Sequence, residues 1–267
     1  MPASGWTTRC GRSCSGLLLK EDGTVNVALL TGRAGSQSIP GKNLQPVLGR
    51  PLAMYPIMAV REAKRLEAVY LTTDSPELMD LARRAGVEVI QRPPELSHDA
   101  AELVYAIAHA LDVIGPGVEI LVTMHCNCAV HRPGLVDACI EKLLEDPEAD
   151  SCVSGSIEQA AHPYRTRRLA PDGTLRTWME APAGASSNRQ ALEPCFILDG
   201  AARALRVARC FPPGGPAPFG YLGKRTLAVE NPSRGDVHGV ADVVVAEYYL
   251  QRLGWRPPGS GEGDRSG

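Results

Sequence analysis

The residues best suited to chemistry lie in one run, Gly32-Arg33-Ala34-Gly35-Ser36-Gln37-Ser38-Ile39-Pro40-Gly41-Lys42-Asn43, directly after an apolar stretch that ends at Leu30. Its three glycines let a backbone approach a ligand closely. Successive amides of such a loop can donate to phosphate oxygens, and Lys42 adds a point charge. The chemistry on offer is the holding of a polyphosphate. The run is not a Walker A, because Asn43 rather than Ser or Thr follows Gly41-Lys42, and it does not spell the dinucleotide fingerprint. A connecting loop whose glycines only relieve strain would have the same composition, so the run alone leaves both readings open.

A second cluster is His125-Cys126-Asn127-Cys128 with His131. So many Cys and His residues together suggest zinc, yet no second Cys-x-x-Cys or His pair completes four ligands at a familiar spacing. The simpler reading makes Cys126 and Cys128 small loop residues. Cys10 and Cys14 lie far upstream.

The elements that must position these residues alternate short apolar runs with segments of helical spacing, the pattern of a parallel sheet covered by helices. Strands are expected at 25–30, 68–73, 87–90, 120–124, 151–156, 196–198 and 225–229. Helices are expected at 51–65 with Pro51 in the first turn, from the Asp74-Ser75-Pro76-Glu77 cap to Gly86, and at 100–114, 133–145, 200–207 and 239–253. Residues 162–180, around the Pro171-Asp172-Gly173 turn signal, read as a β excursion reaching to about 190. Ligands of open α/β sheets bind beyond the carboxyl ends of strands. The loops after Leu30 and after Met124 should therefore share one crevice.

Composition narrows the partners. The 267 residues carry 28 Lys and Arg against 30 Asp and Glu. Such a balance gives no basic footprint for nucleic acid or for an anionic membrane. No run of about 18 apolar residues is present, so no membrane span is expected. Eight cysteines scattered through apolar runs read as reduced thiols of a cytoplasmic protein rather than a disulfide framework. Residues 1–24 read as a frayed extension, 25–253 as one enlarged domain, and 254–267 as a loose tail.

The loop string, followed by Pro46 and Gly49-Arg50-Pro51-Leu52, closely resembles the opening of the acylneuraminate cytidylyltransferases. The resemblance continues through Thr72-Thr73-Asp74-Ser75, Arg92-Pro93-Pro94-Glu95-Leu96 with Asp99, and Ala149-Asp150-Ser151-Cys152-Val153-Ser154. It resumes at His162-Pro163-Tyr164, Arg189-Gln190-Ala191-Leu192-Glu193-Pro194 and Gly200-Ala201, and so covers about residues 25–250. It implies a Rossmann-like nucleotidyltransferase fold with a mostly parallel sheet and a small β excursion. It also implies a homodimer, CTP, a divalent cation (Mg²⁺, or Mn²⁺) and a small acidic acceptor whose hydroxyl attacks the α-phosphorus as pyrophosphate leaves. By resemblance Arg33, Ser36 and Lys42 handle phosphates, with Gly35 and Gln37 in the same loop, and Asn43 helps select the base. Arg189 meets the acceptor carboxylate, for which its planar donor fork is suited, with Gln190 beside it. Arg33, Lys42 and Asp236 form the catalytic set.

Four departures bear on function. Gln37 stands where the family has Lys. The family's Gln-Pro-Thr-Ser stretch appears as Cys126-Asn127-Cys128-Ala129, which places His125 or Asn127 at the acceptor. Asp199 replaces an Asn before Gly-Ala, and an Asp-x-Asp metal motif becomes Asp236-Val237-His238. An imidazole shifts a divalent site from Mg²⁺ toward transition metals, and His238 could equally be only a helix N-terminal residue. Three alternatives follow: the same chemistry on another sugar acid or a phosphonate, a catalytically weak nucleotide-binding homologue, or a different triphosphate.

Overall fold

The computed structural model describes residues 23–35, 39–160, 162–232 and 235–259. Ser36 and Gln37, Cys10 and Cys14, nearly all of the expected extension and the end of the expected tail lie outside the described residues. The chain runs β1 (Val25–Thr31), a short hairpin of β2 (Pro46–Val47) and β3 (Arg50–Pro51), α1 (Met54–Glu62), β4 (Ala68–Thr73), α2 (Pro76–Arg84) and β5 (Glu88–Gln91). It continues through α3 (Leu103–Ile114), β6 (Val118–His125), α4 (Leu135–Glu145), β7 (Ser151–Ile157) and a hairpin of β8 (Arg167–Leu169) and β9 (Leu175–Thr177). The last elements are β10 (Phe196–Arg206), the one-turn α5 (Val207–Cys210), β11 (Thr226–Glu230) and α6 (Val240–Arg252).

Seven strands make one sheet in the order β11-β7-β10-β6-β1-β4-β5. Pairing is parallel except that β10 runs against both β6 and β7. This is the expected α/β fold. Every residue of β1 is buried, as the middle of a sheet covered on both faces demands. Side chains alternate between faces: Ala28 and Leu30 pack with Ile57, Leu78 and Ile140 of α1, α2 and α4, while Val27 and Leu29 pack with Ile107, Ala110 and Ile114 of α3. Fully burying one such Leu stabilises by about 1.5–3 kcal/mol, so the carboxyl end of β1 is a rigid platform for the loop that follows. Among the described residues no helix is long and apolar enough to cross a membrane.

Two expectations are corrected. Pro51 does not open a helix. It pairs with Pro46 across a two-residue turn in which Leu48 (φ 44°) and Gly49 (φ 74°) are both left-handed, and α1 starts at Met54. Nor is 200–207 a helix: it is the second half of β10, followed only by α5. Ala201, Ala202 and Ala204 favour a helix locally, but the slot between β6 and β7 offers ladder partners on both sides and complete burial, which outweighs propensity. The Ser75 cap is confirmed, its hydroxyl accepting the Leu78 N–H. Trp255, at the border of the expected tail, is buried edge-on against Tyr55.

Candidate active site

The loops after β1 and β6 meet in one crevice, a cavity of about 290 Å³. Arg33, Gly35, Lys42 and Asn43 line it from the first loop, His125 and Asn127 from the second, and Arg92 and Asp99 from the segment after β5. Each glycine of the first loop has its own reason. A Cβ on Gly32 would lie 2.9 Å from Leu78 and 3.1 Å from Cys126, so packing requires it. Gly41 is left-handed at φ 61° and starts the 3-10 turn Lys42–Leu44. Gly35 faces open space on the side where a Cβ would stand, which leaves it open to a ligand. The loop is tied down by the Ala34 N–H donating to Asp74 Oδ1 at 2.8 Å and by buried Asn43, whose Nδ2 donates to the Arg33 carbonyl at 3.1 Å.

Three cations converge here. Burial and the neighbouring Arg33 hold the Lys42 amine below its usual value, with Asp236 and Asp242 pulling the other way. Arg33 is paired with Asp99. Arg92 is the residue sequence reasoning left without a role. Only 6% exposed, it donates through Nη2 to the Thr72 carbonyl at 2.9 Å and through Nε to Thr72 Oγ1 at 3.4 Å, and it forms part of the crevice wall. Its signal was positional, since it directly follows the carboxyl end of a parallel strand, where the binding rule points.

The far wall is built by stitching 125–129 to 235–237. The Ala129 N–H donates to the Gly235 carbonyl at 2.9 Å, the Val237 N–H to the Asn127 carbonyl at 2.8 Å, and Asn127 Nδ2 to the Val237 carbonyl at 3.3 Å. This brings Asp236 beside His125, Oδ1 to Nδ1 at 4.0 Å, while Oδ2 accepts the Gly200 N–H at 3.0 Å. A Cβ on Gly200 would stand 2.5 Å from Asp236 and 2.6 Å from His125, so only glycine fits beneath them. Burial, then the charge of Asp199, raises the Asp236 carboxyl above its usual range. Burial, then Arg203, His238 and Lys42, pulls His125 down to about 3. His125 is therefore a neutral imidazole at neutral pH, and its Nε2 is buried with no hydrogen-bond partner among the described residues.

The donor set suits a divalent ion carried by a triphosphate. Asp236 offers one hard oxygen in a place where its own negative charge is disfavoured, and Mg²⁺ is commonly held by one or two carboxylates plus phosphate oxygens and water. Among the described residues no three His, Cys, Asp or Glu side chains are gathered into a ready-made metal cluster. His238 is exposed, and its N–H donates to the Asp242 carboxylate at 2.8 Å where α6 begins. Cys126 and Cys128 are core residues whose thiols burial pushes up, the former to about 12. His131 is likewise buried, its Nδ1 on the Ala129 carbonyl at 3.2 Å. Arg189 and Gln190 sit in a 3-10 turn beyond the β8–β9 hairpin, exposed and away from the crevice lining.

A family model described as cytidylyltransferase matches residues 27–178. The chain belongs to the cytidylyltransferase family. Its cytidylyltransferase relatives include N-acylneuraminate cytidylyltransferases of Oncorhynchus mykiss (25% identical over 150 residues, 56% of this chain and 34% of the relative) and Escherichia coli O18:K1:H7 (33% over 90 residues, 34% and 22%). A CMP-N,N'-diacetyllegionaminic acid synthase of Legionella pneumophila is 30% identical over 86 residues, 32% of this chain and 37% of the relative. These matches span 22–37% of the relatives' lengths. A solved CMP:2-keto-3-deoxy-manno-octonic acid synthetase complexed with CTP superposes with a TM-score of 0.62 at 14% identity, covering 86% of this chain and 99% of that one, and establishes the shared fold.

Proposed function

We propose that this cytidylyltransferase joins the CMP moiety of CTP to a small acidic hydroxylated acceptor, a sialic acid-like nonulosonate by default, and releases pyrophosphate. The observation that carries the reading is one crevice lined by Arg33, Lys42, Arg92 and a neutral His125, with Asp236 4.0 Å behind that imidazole. The acceptor hydroxyl attacks the α-phosphorus and the bond to the β-phosphate oxygen breaks. The protein's part is positioning and charge neutralisation. Lys42, Arg33 and the open Gly35 face the departing phosphates. Asp236, with His238 as neighbour, would hold Mg²⁺ or Mn²⁺, which supplies charge neutralisation of the phosphates when bound. A neutral imidazole at position 125 offers a hydrogen bond to a hydroxyl rather than an ion pair, which favours an altered acceptor, another sugar acid or a phosphonate, as the second reading.

Arg189 and Gln190 suit the acceptor carboxylate if the arm of a second copy delivers them. The β8–β9 hairpin supports a homodimer: Leu169, Leu175 and Trp178 are 71%, 67% and 57% exposed, and a lone two-stranded hairpin is marginal in water. Sedimentation of the pure protein would report it. The six cysteines among the described residues are free, which suits a reducing cytoplasm. To test the activity, protein, CTP and Mg²⁺ or Mn²⁺ are incubated with a panel of sugar acids and phosphonates, and pyrophosphate is measured. Release that depends on one class of acid supports the reading and names the acceptor. Silence across the panel without CTP binding by calorimetry defeats it, and binding without release makes the chain a nucleotide-binding homologue.

A further inference from the structure

Asp199 is 1% exposed and takes no part in lining the crevice, yet it anchors a buried polar network behind it. Ser154 Oγ and the Ala201 N–H donate to its Oδ1, the latter at 3.0 Å, and Asn231 Nδ2 donates to Oδ2 at 2.9 Å. Asn231 is itself fixed, giving a proton to the Val130 carbonyl at 2.9 Å and accepting the Arg132 N–H at 3.2 Å. Every partner of the Asp199 side chain is a donor, a demand that a carboxylate meets. An amide at 199 would set its NH₂ against a donor whichever way it turned.

This network holds an irregularity. The pairing of β10 with β7 shifts register between Leu198 and Arg203. Such breaks free a residue from the ladder and re-aim it. Within the break the Gly200 N–H points to Asp236 Oδ2 at 3.0 Å. The Asp199 charge also reaches Asp236, adding to burial in disfavouring a bare negative charge there.

We propose that Asp199 is a positioning residue for the cation site at Asp236, fixing the β10 break that aims the Gly200 N–H at Asp236 and adding its own negative charge behind that carboxylate. The inference rests on the cytidylyltransferase reading. It is tested by electron paramagnetic resonance of Mn²⁺ binding to protein saturated with a non-cleavable CTP analogue, beside the melting temperature. Asp199→Asn should weaken Mn²⁺ about tenfold, the usual cost of losing a group that orients a metal ligand. Pairing it with Asn231→Asp restores a donor facing an acceptor at the 199–231 contact and returns the charge, while setting a carboxylate oxygen against the Val130 carbonyl, and should recover part of that affinity. Wild-type Mn²⁺ affinity in Asp199→Asn, whatever its melting temperature, overturns the proposal. So does a paired variant that regains its melting temperature without its ion affinity. Should Asp199→Asn fail to fold, Ser154→Ala removes one anchor and keeps the charge. It should weaken Mn²⁺ roughly threefold, the low end of a hydrogen bond's net contribution, and unchanged affinity overturns the proposal. Wild-type protein that takes up no more Mn²⁺ than the nucleotide alone overturns the underlying function as well.

Discussion

Lowering the pH from about 8 to about 5 should destabilise this protein by an amount set mainly by two histidines, His131 and His125. Burial is the leading cause of both low values, about 4 for His131 and about 3 for His125, against 6.5 for the free side chain. Between the folded and unfolded values the unfolded chain binds the proton and the folded chain does not. Stability from each is therefore complete above about pH 6.5 and falls as the pH drops toward the folded value. At about pH 5 each histidine costs about 2 kcal/mol on these values. His131 is 8% exposed and keeps its full share, whereas the His125 side chain retains 23% exposure and its share is reduced by solvent. The pair then comes to about 3–4 kcal/mol, a large part of the roughly 5–15 kcal/mol that holds a typical domain. Asp236 works in the opposite sense. Raised above 3.8, its carboxyl loses stability as pH rises through that window, so it gives some back only as the pH falls toward it. Urea unfolding followed by fluorescence at a series of pH values, with a constant m-value, gives the curve. His131→Gln, which carries no titrating proton, should remove about half of the slope. A change of less than about 1 kcal/mol across this range, or a slope untouched by His131→Gln, would refute the assignment of buried neutral histidines.

Two further predictions concern the crevice. Lys42→Ala should raise the KM for CTP about tenfold to a hundredfold, the loss of one charged hydrogen bond, and a wild-type KM would remove Lys42 from the phosphates. Gly200→Ala should lower kcat/KM at least about tenfold in a protein that still folds, because the new methyl must displace Asp236 or His125, both within 2.6 Å of it. Unchanged pyrophosphate release would show that the Asp236–His125 geometry is not used.

The loop at Gly32–Asn43 and the crevice it shares with His125 were legible because both follow from local pattern: apolar strands give the platform, and the parallel topology fixes which ends carry ligands. The misread helix at 200–207 shows where that logic stops. The alanine-rich second half of β10 has no local strand signature, and its conformation is decided by β6 and β7, whose paired residues lie from 50 (Arg203 to Val153) to 86 (Arg206 to Ile120) positions away. The same error hid the site's far wall. Read as helical, Gly200 could not have been seen as the amide donor to Asp236, nor Asp199 as the buried carboxylate beneath it.

The polar network behind the crevice, which runs through residues 125, 154, 199, 231 and 236, has no spacing rule, because its contacts join separate strands and loops. What the sequence carried, through the resemblance alone, was two departures, Asp199 where the resembled family has Asn and His238 where it has Asp. Apart, the two substitutions read as losses of fidelity to a family. The break in β10 aims the Gly200 N–H at Asp236, and Asp199 and His238 both bear on that carboxylate. His238→Asp should therefore relieve part of the loss caused by Asp199→Asn, since it would return a carboxylate to the exposed side of the same cation.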